Sequence, residues 1–200
     1  MPADLQPGPV APEEFELFAQ AVARGFHDEA TPQMLERVRP IHEHERALAI
    51  RDDGRIVATT AIASFEVTVP GAVVPMAGVT AVTVQPTHRR RGLLTALMRS
   101  QLDGLGAGGE AVAGLWASEA RIYGRFGYGP AARDGSVSVR SDRAAVRPEL
   151  RPAAGAVATL APAEALADLR AVHDAVRPRR PGMLSRADGR WRRLLDDPES

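Results

Sequence analysis

The sequence lacks three residue types entirely, and two of these absences exclude whole classes of chemistry. Without cysteine, disulfide scaffolds, thiolate zinc sites and cysteine nucleophiles are excluded. Without lysine, neither a lysine Schiff base nor a P-loop lysine is available. Asparagine is also missing, while Ala, Arg, Gly and Pro are abundant. This pattern is typical of a GC-rich coding bias, so the missing lysine and asparagine need no functional explanation.

Net charge and aromatic residues are also scarce. The 25 arginines balance 25 acidic residues, and aromatic residues make up only 4% of the chain. Nucleic-acid and membrane-surface binders are usually clearly basic, and single-strand binders need stacking surfaces. We therefore predict no nucleic-acid partner and no membrane partner. A polyanion binder using residues 89–91 and 177–181 is the remaining alternative.

No targeting or membrane segment stands out. The N-terminus has acidic groups and prolines where a signal peptide needs a basic patch and an apolar run. The most apolar stretch, residues 56–69, contains Thr, Ser and Glu and is too short to span a bilayer. These features predict a cytoplasmic protein.

Hydrophobic periodicity predicts an α/β fold. Helical spacing predicts a helix over residues 12–26 that includes Phe26, and a second over 31–39 with Thr31 as its N-cap. Strands are predicted over 47–51, 56–69 and 73–84, with Gly78 as a bulge site. Further along come a helix from residue 93, a strand over 111–117, a short helix over 118–123 and a hairpin over 126–139. This order predicts a mixed, mostly antiparallel sheet with helices on both faces.

The composition changes near residue 143 and predicts a domain boundary. Residues 1–142 would form the first domain, and residues 143–155, rich in Arg, Pro and Ala, would form a linker. Residues 156–200 predict a strand over 156–160, a helix over 164–176 and a last helical piece. These are the opening elements of a second, incomplete domain. Their apolar faces either pack on the first domain or belong to a longer protein, and we favour the second interpretation.

The loop at residues 85–92 contains the most informative chemistry, because it joins a long strand directly to a long helix. A helix N-terminus presents unpaired N–H groups and a partial positive charge, which suit a phosphate or pyrophosphate. Gly92 allows close approach of an anion, and Arg89, Arg90 and Arg91 add attraction. P-loop and GxGxxG motifs are absent. The alternative is that the arginines only solvate the loop.

Two segments together resemble the Eis (enhanced intracellular survival) branch of the GNAT acetyltransferases. They are VTVQPTHRRRGLL at residues 82–94 and ASEARIYGRFGYGP at residues 117–130. The general GNAT pattern R/Q-x-x-G-x-G/A falls on Arg89, Gly92 and Leu94. Leucine in the last place departs from the general pattern but is normal in the Eis branch. The resemblance covers residues 10–140 well and implies a GNAT fold, acetyl-CoA as cosubstrate and no metal.

The resemblance also implies a role for each matching residue. The backbone of Val82, Thr83 and Val84 would bind the pantetheine arm like an added strand. Ser118 would lie near the acetyl thioester. Tyr123 would be the general acid for the leaving thiolate, since a phenol with a pKa of about 10 is protonated at neutral pH; Tyr128 is its rival. The residues that would hold the pyrophosphate are Arg89, Arg90, Arg91, Gly92, Leu93 and Leu94.

The implied reaction is acetyl transfer to a primary amine by direct attack in a ternary complex. The acceptor would be aminoglycoside-like, polyamine-like or a lysine. Residues 73–85 contain no carboxylate to act as general base. A non-catalytic CoA-binding module, acting as scaffold or sensor, is therefore the alternative.

In the Eis branch the C-terminal carboxylate of a chain about twice as long serves the amine. We therefore expect these 200 residues to bind acetyl-CoA but to acetylate poorly alone. The family also implies a homo-oligomer, a hexamer.

Some further residues invite a functional role that the sequence does not favour. His42 and His44 have no third metal ligand nearby, which favours a solvated turn. Trp116 lies in an apolar run and is expected in the core. Asp28 and Glu29 follow the first helix, where Eis-branch members line the amine pocket, but a surface role is favoured.

Overall fold

The computed structural model of the protein describes residues 5–133, 135–145, 147–150 and 158–196. The strands are β1 (Pro7–Pro9), β2 (Ala47–Asp52), β3 (Arg55–Val69), β4 (Ala72–Val84) and β5 (Val112–Leu115). The helices are α1 (Phe15–Gly25), α2 (Pro32–Val38), α3 (Leu93–Gly108), α4 (Pro162–Val176) and α5 (Asp188–Leu195). Within these ranges no helix is both long and apolar enough to cross a bilayer.

The five strands form one sheet in chain order. Neighbours from β1 to β4 are antiparallel, whereas β5 runs parallel to β4. Antiparallel neighbours need only a tight turn, and both residues of the β2–β3 turn, Asp53 and Gly54, have positive φ as such turns require. The parallel step needs a crossover, which α3 provides. The predicted α/β fold with a mixed, mostly antiparallel sheet is confirmed.

Helices α1 and α3 cover opposite faces of the sheet because side chains alternate along each strand. In β2, Ala47 and Ala49 belong to the core cluster that contains Phe18 of α1. The intervening positions face the other way, and Ile50 packs with Leu93 of α3. Each helix therefore buries one apolar stripe, and the N-terminus of α3 is held at the end of β4.

A β-bulge in β4 changes the direction of the strand before it reaches the loop. The pairing moves from Thr59–Thr83 to Ala61–Thr80, so β4 contains one extra residue, and Ala81 has a φ of 54°. The Thr59 hydroxyl donates to the Ala81 carbonyl oxygen at 2.7 Å. Since Thr59 has one hydroxyl hydrogen, the Thr83 hydroxyl must donate to Thr59 across 2.8 Å.

The predicted bulge at Gly78 is wrong. Gly78 pairs regularly with Ala63 of β3. A Cβ at Gly78 would collide with the Phe65 ring. Glycine is therefore present there to make room for a neighbouring ring rather than to permit an irregular backbone.

The predicted hairpin over residues 126–139 is also wrong for the described part of that range, which contains no strand. Gly127 has a φ of 90°, and Pro130 has no N–H to donate, so the alternation there cannot form a regular ladder. The short helix predicted over 118–123 is a 3-10 turn at Ala120–Ile122. Residues 158–160 are not a strand, and 156–157 lie outside the described residues.

The segment of residues 158–196 packs against the far end of β3. Thr68 donates its N–H to the carbonyl oxygen of Met183 at 3.0 Å, and Ser185 donates its N–H to that of Glu66 at 2.9 Å. Trp191 is 2% exposed. Its ring stands edge-on to His173, with centroids 5.3 Å apart. The segment therefore docks on β3 through the loop between α4 and α5, and His173 and Trp191 join those two helices to each other.

Helix α4 confirms the predicted helix, yet most of its predicted apolar side is not covered. Leu169, Val172 and Val176 are 42%, 64% and 36% exposed. Only the partly buried Ala165 and Leu166 of that stripe are shielded from solvent. Packing against β3 therefore leaves an apolar stripe of α4 uncovered in the described structure.

Gly25, the last residue of α1, packs so closely on β4 that no side chain fits. A Cβ there would collide with the Thr83 side chain. We expect Gly25→Ala to lower the free energy of unfolding by about 1–3 kcal/mol, because α1 must shift away from the sheet. Urea denaturation measures this. Gly106→Ala is the control, since no described residue outside its own helix has an atom within 4 Å of its Cβ position. Equal stability of both variants would contradict the close α1–β4 contact.

Candidate active site

Strands β4 and β5 are paired over only part of their length. Their ladder runs from Met76–Val112 to Val79–Leu115, whereas β4 continues to Val84. Beyond the ladder, the edge of β4 that faced β5 has no strand partner among the described residues. Residues 79–84 line a cavity of about 890 Å³. An extended ligand can therefore form main-chain hydrogen bonds with this edge.

The N-terminus of α3 forms a second wall of the same cavity. Gly92 is the N-cap with a φ of 84°, and no side chain of the described residues forms a capping hydrogen bond at this end of the helix. The first helical bond runs from the Ala96 N–H to the Gly92 carbonyl oxygen at 3.0 Å. The N–H groups of the first turn are therefore available to an anion. Apart from Gly92 itself and its two chain neighbours, no described residue has an atom within 4 Å of the Gly92 Cβ position, so a ligand can approach the backbone closely.

The structure brings most of the predicted cofactor residues together in this cavity. The exception is Arg91, which is not among the lining residues; its guanidinium lies 3.9 Å from the Asp52 carboxylate. The predicted cofactor residues that do line the cavity are Val82, Thr83, Val84, Arg89, Arg90, Gly92, Leu93 and Leu94.

His88 holds the loop before α3 against the β2–β3 turn. Its Nε2 lies 2.8 Å from Oδ2 of Asp52, and its Nδ1 lies 2.8 Å from Oγ1 of Thr87. Because both ring nitrogens are engaged, the ring orientation is determined. This pair is not predictable from the sequence, since its members are 36 residues apart and meet only through the strand pairing. The only local signal was a histidine directly before the arginine run.

The two tyrosines have different positions relative to the cavity. Tyr123 lines it together with Ser118, whereas Tyr128 does not. The Tyr128 ring packs edge-on against Tyr123 with centroids 6.0 Å apart. Its hydroxyl is buried without a hydrogen-bond partner in the described part of the chain. Of the two phenols, only Tyr123 has access to a ligand in the cavity.

The environment of Tyr123 favours a proton donor. Burial raises the pKa of its phenol above the usual value, and the negative charge of Glu119 raises this pKa further. The hydroxyl therefore stays protonated at neutral pH and through the mildly alkaline range. It can donate to an atom on which negative charge develops.

Two exposed aromatic side chains at the cavity differ from what the sequence predicted. Trp116, expected in the core, is 83% exposed, because β5 ends at Leu115 and the tryptophan projects beyond the sheet. Phe26, predicted on the apolar face of α1, lies just past the helix end and is 53% exposed. Both line the cavity. Asp28 and Glu29 are exposed and do not line it.

His42 is not in a solvated turn, contrary to prediction. Its ring lies 5.1 Å from the Phe15 ring and 5.2 Å from the Phe18 ring, measured between centroids. Burial among these rings lowers the pKa of His42. His44 is exposed, as predicted. Over the described ranges, no three His, Asp or Glu side chains are grouped so that they can hold a metal ion.

Comparison with known proteins identifies the family. Residues 7–131 match the acetyltransferase (GNAT) domain. N-acetyltransferase Eis of Mycobacterium tuberculosis is 35% identical over 86% of this chain. The chain belongs to the GNAT family, in its Eis-like branch. An uncharacterized N-acetyltransferase of Streptomyces coelicolor is 42% identical over 98% of the chain. The crystal structure of Eis1 from Mycobacterium abscessus superimposes with a TM-score of 0.72, at 32% identity over 94% of the chain.

The Eis-like chain spans about half the length of these relatives. It covers 45% of the M. tuberculosis protein, 49% of the S. coelicolor protein and 46% of the M. abscessus structure. The GNAT domain, which lies within the matched part, implies use of acetyl-CoA. The cavity residues fit this cosubstrate, since a free strand edge and an uncapped helix N-terminus lie side by side.

The His88–Asp52 pair yields a test of loop positioning in this Eis-like chain. We expect Asp52→Asn to weaken CoA binding about three- to tenfold, because the loop loses a charge-assisted hydrogen bond. Isothermal titration calorimetry measures this. Asp53→Asn is the matched control: it removes the same charge one residue later, from a side chain that forms no ion pair with the described residues of this loop. Equal weakening by both variants would mean that only long-range charge matters.

Proposed function

We propose that the Eis-like chain forms the acetyl-CoA site of an N-acetyltransferase that acetylates a primary amine. One observation carries this proposal: the free edge of β4, the uncapped N-terminus of α3 and the Tyr123 side chain line one cavity. A strand edge suits the pantetheine arm, which contains amide groups, and a helix N-terminus suits a pyrophosphate. A phenol at the same cavity suits a leaving thiolate.

Each part of the cavity has a defined role in the proposed reaction. Main-chain groups of residues 82–84 hold the arm, and N–H groups at the start of α3 hold the pyrophosphate. Arg89 and Arg90 add charge attraction there. Backbone N–H groups polarise the thioester carbonyl. A bond forms between the amine nitrogen and the carbonyl carbon while the carbon–sulfur bond breaks. The amine nitrogen gives up one proton to a general base, and Tyr123 donates its own proton to sulfur. Ser118 lines the same cavity.

The acceptor is proposed to be cationic and partly apolar. Phe26 and Trp116 expose aromatic rings at the cavity, and Glu119 adds a carboxylate. Aromatic faces and a carboxylate both attract ammonium groups. This supports the aminoglycoside-like, polyamine-like or lysine acceptors that the resemblance implies. Since β4 carries no carboxylate, the general base is proposed to come from a longer chain. Residues 1–200 alone would then bind acetyl-CoA but acetylate poorly.

The proposed organisation follows the same resemblance. Residues 1–142 would form the acetyl-CoA domain, 143–155 a linker and 156–200 the first elements of a second GNAT-like domain. Support comes from the exposed apolar stripe of α4 and from relatives about twice as long. Residues 146, 151–157 and 197–200 lie outside the described structure. A homo-oligomer, by resemblance a hexamer, belongs to the same proposal.

Mass spectrometry tests the activity directly. The full-length protein is incubated with acetyl-CoA and a panel of aminoglycosides, polyamines and lysine peptides, and we expect an acetylated amine. If calorimetry detects CoA binding but no amine is acetylated, the protein is instead a CoA-binding scaffold or sensor. Absence of both binding and product would contradict the proposed site itself.

A further inference from the structure

The β-bulge of β4 lies at the wall of the candidate active site. Two residues of β4, Ala81 and Val82, stand opposite a single residue of β3, Thr60. Both Ala81 and Val82 line the cavity. Ala81 has a φ of 54°, a left-handed conformation that is unfavourable for a residue with a Cβ. Such a conformation persists only where neighbouring groups hold it.

The Thr59 hydroxyl holds this conformation from the neighbouring strand. Thr59 is 0% exposed, and its hydroxyl donates to the Ala81 carbonyl oxygen at 2.7 Å. The same hydroxyl accepts a hydrogen bond from Thr83 across 2.8 Å. Because the Thr59 hydroxyl both donates and accepts, its orientation is determined. Thr59 itself does not line the cavity, so it affects a ligand there only through the backbone of β4.

The position of the Ala81 carbonyl determines where the next N–H points. Ala81 and Val82 are joined by a trans peptide bond, which holds its C=O and N–H on opposite sides. Since Thr59 of β3 binds the carbonyl oxygen, the Val82 N–H points away from β3. On that side of β4 the pairing with β5 has ended, and the cavity lies there. The Val82 N–H is therefore available to a ligand in the cavity.

The neighbouring threonine shows that burial in the strand does not by itself explain the Thr59 hydroxyl. Thr60 is also 0% exposed, yet its hydroxyl has no hydrogen-bond partner among the described residues. Valine is β-branched like threonine and is equally favoured in strands. Either position could therefore hold a valine as far as the strand is concerned. Only at Thr59 does the hydroxyl bind the strained residue.

We propose that Thr59 is a positioning residue for acetyl transfer, whose hydroxyl holds the Ala81 carbonyl so that the Val82 N–H donates to the carbonyl oxygen of the acetyl thioester. This inference rests on the proposed function. An N–H that already points at this oxygen stabilises the negative charge that develops there when the amine attacks.

Substitutions at two adjacent positions separate the hydroxyl from the shape of the side chain. We expect Thr59→Val to lower kcat of the full-length protein about ten- to a hundredfold, because a misplaced N–H donor has an effect of this order. The KM for acetyl-CoA should change little, since Thr59 does not hold the start of α3. Thr59→Ser keeps the hydroxyl and should retain kcat, although it loses a buried methyl group and some stability. Thr60→Val is the matched control and should keep both kcat and stability.

Infrared spectroscopy tests the inference without turnover. Acetyl-CoA with ¹³C at the thioester carbonyl is bound to each variant, and the frequency of its carbonyl band reports how strongly the protein polarises that bond. We expect the band at a lower frequency in the wild type, Thr59→Ser and Thr60→Val than in Thr59→Val. This pattern without any acetylated amine would contradict the proposed function but would still support the role of Thr59.

Three results would overturn the role of Thr59. They are equal band positions in Thr59→Val and the wild type, an equal loss of kcat in Thr59→Ser and Thr59→Val, and failure of the wild type to bind acetyl-CoA. The last result would overturn the proposed site as well. If Thr59→Val fails to fold, Thr59→Cys takes its place, since it differs from Thr59→Ser only in a thiol, which is a weak donor.

Discussion

Replacing Tyr123 by phenylalanine is expected to lower kcat for acetyl transfer about a hundredfold or more, with little change in the KM for acetyl-CoA. General acid catalysis contributes about 10²–10⁴ in rate, and the hydroxyl acts only as charge develops on sulfur. The ring itself, which packs against Tyr128, is retained. Release of the CoA thiol under steady-state conditions, measured on the full-length protein, gives both constants.

Tyr128→Phe is the matched control for this experiment. It removes the same hydroxyl group five residues later, from a side chain that does not line the cavity. We expect its kcat to stay near the wild-type value. Because the Tyr128 hydroxyl is buried and unpaired in the described structure, its removal should not destabilise the protein. The opposite result, with only Tyr128→Phe inactive, would reassign the acid.

The pH dependence of kcat follows from the position of Tyr123. Burial and Glu119 raise the pKa of its phenol above its usual value of about 10. A general acid is active while protonated, so the activity that depends on Tyr123 should persist until the pH exceeds that value. Tyr123→Phe should lose this alkaline limb. A limb near neutral pH that survives in Tyr123→Phe would report another group.

The strands could be predicted from sequence where their signal is local. Residues 56–69 were predicted as a strand, and β3 is Arg55–Val69. The β-branched residues of this segment favour a strand by their own propensity, so the prediction needs no knowledge of the rest of the chain. The bulge could not be predicted in the same way. Ala81 takes a positive φ because Thr59 of β3 binds its carbonyl oxygen. That contact depends on the register between two strands.

The candidate site shows the same division between local and distant causes. Arg89, Arg90 and Gly92 were predicted at the cavity because one short loop places them together at a helix start. Arg91 lies in that loop, but its guanidinium lies near Asp52, which is in β2 and distant in sequence. Trp116 was expected in the core because its neighbours are apolar. Its exposure depends on the residue at which the pairing between β5 and β4 ends. That position cannot be predicted from the apolar sequence around Trp116.

Gly92→Val is expected to raise the KM for acetyl-CoA about ten- to a hundredfold. Gly92 has φ 84° and ψ −2°, a conformation that costs a β-branched residue about 1–3 kcal/mol. The variant relieves this strain by rotating the backbone at the start of α3. The N–H groups of Leu93 and Leu94 then no longer point together at the pyrophosphate. A hundredfold change corresponds to about 2.8 kcal/mol, within the range of the strain.

Gly109→Val separates this effect from simple loss of stability. Gly109 ends the same helix with φ 78° and ψ 9°, and both glycines have open space at the Cβ position. The two variants should therefore lose similar amounts of unfolding free energy, because each places valine in the same strained conformation. Only Gly92 lines the cavity, so only Gly92→Val should change the KM. Equal KM values at equal stability would mean that the backbone at the start of α3 does not hold the cosubstrate. The pyrophosphate would then be held by Arg89 and Arg90 alone.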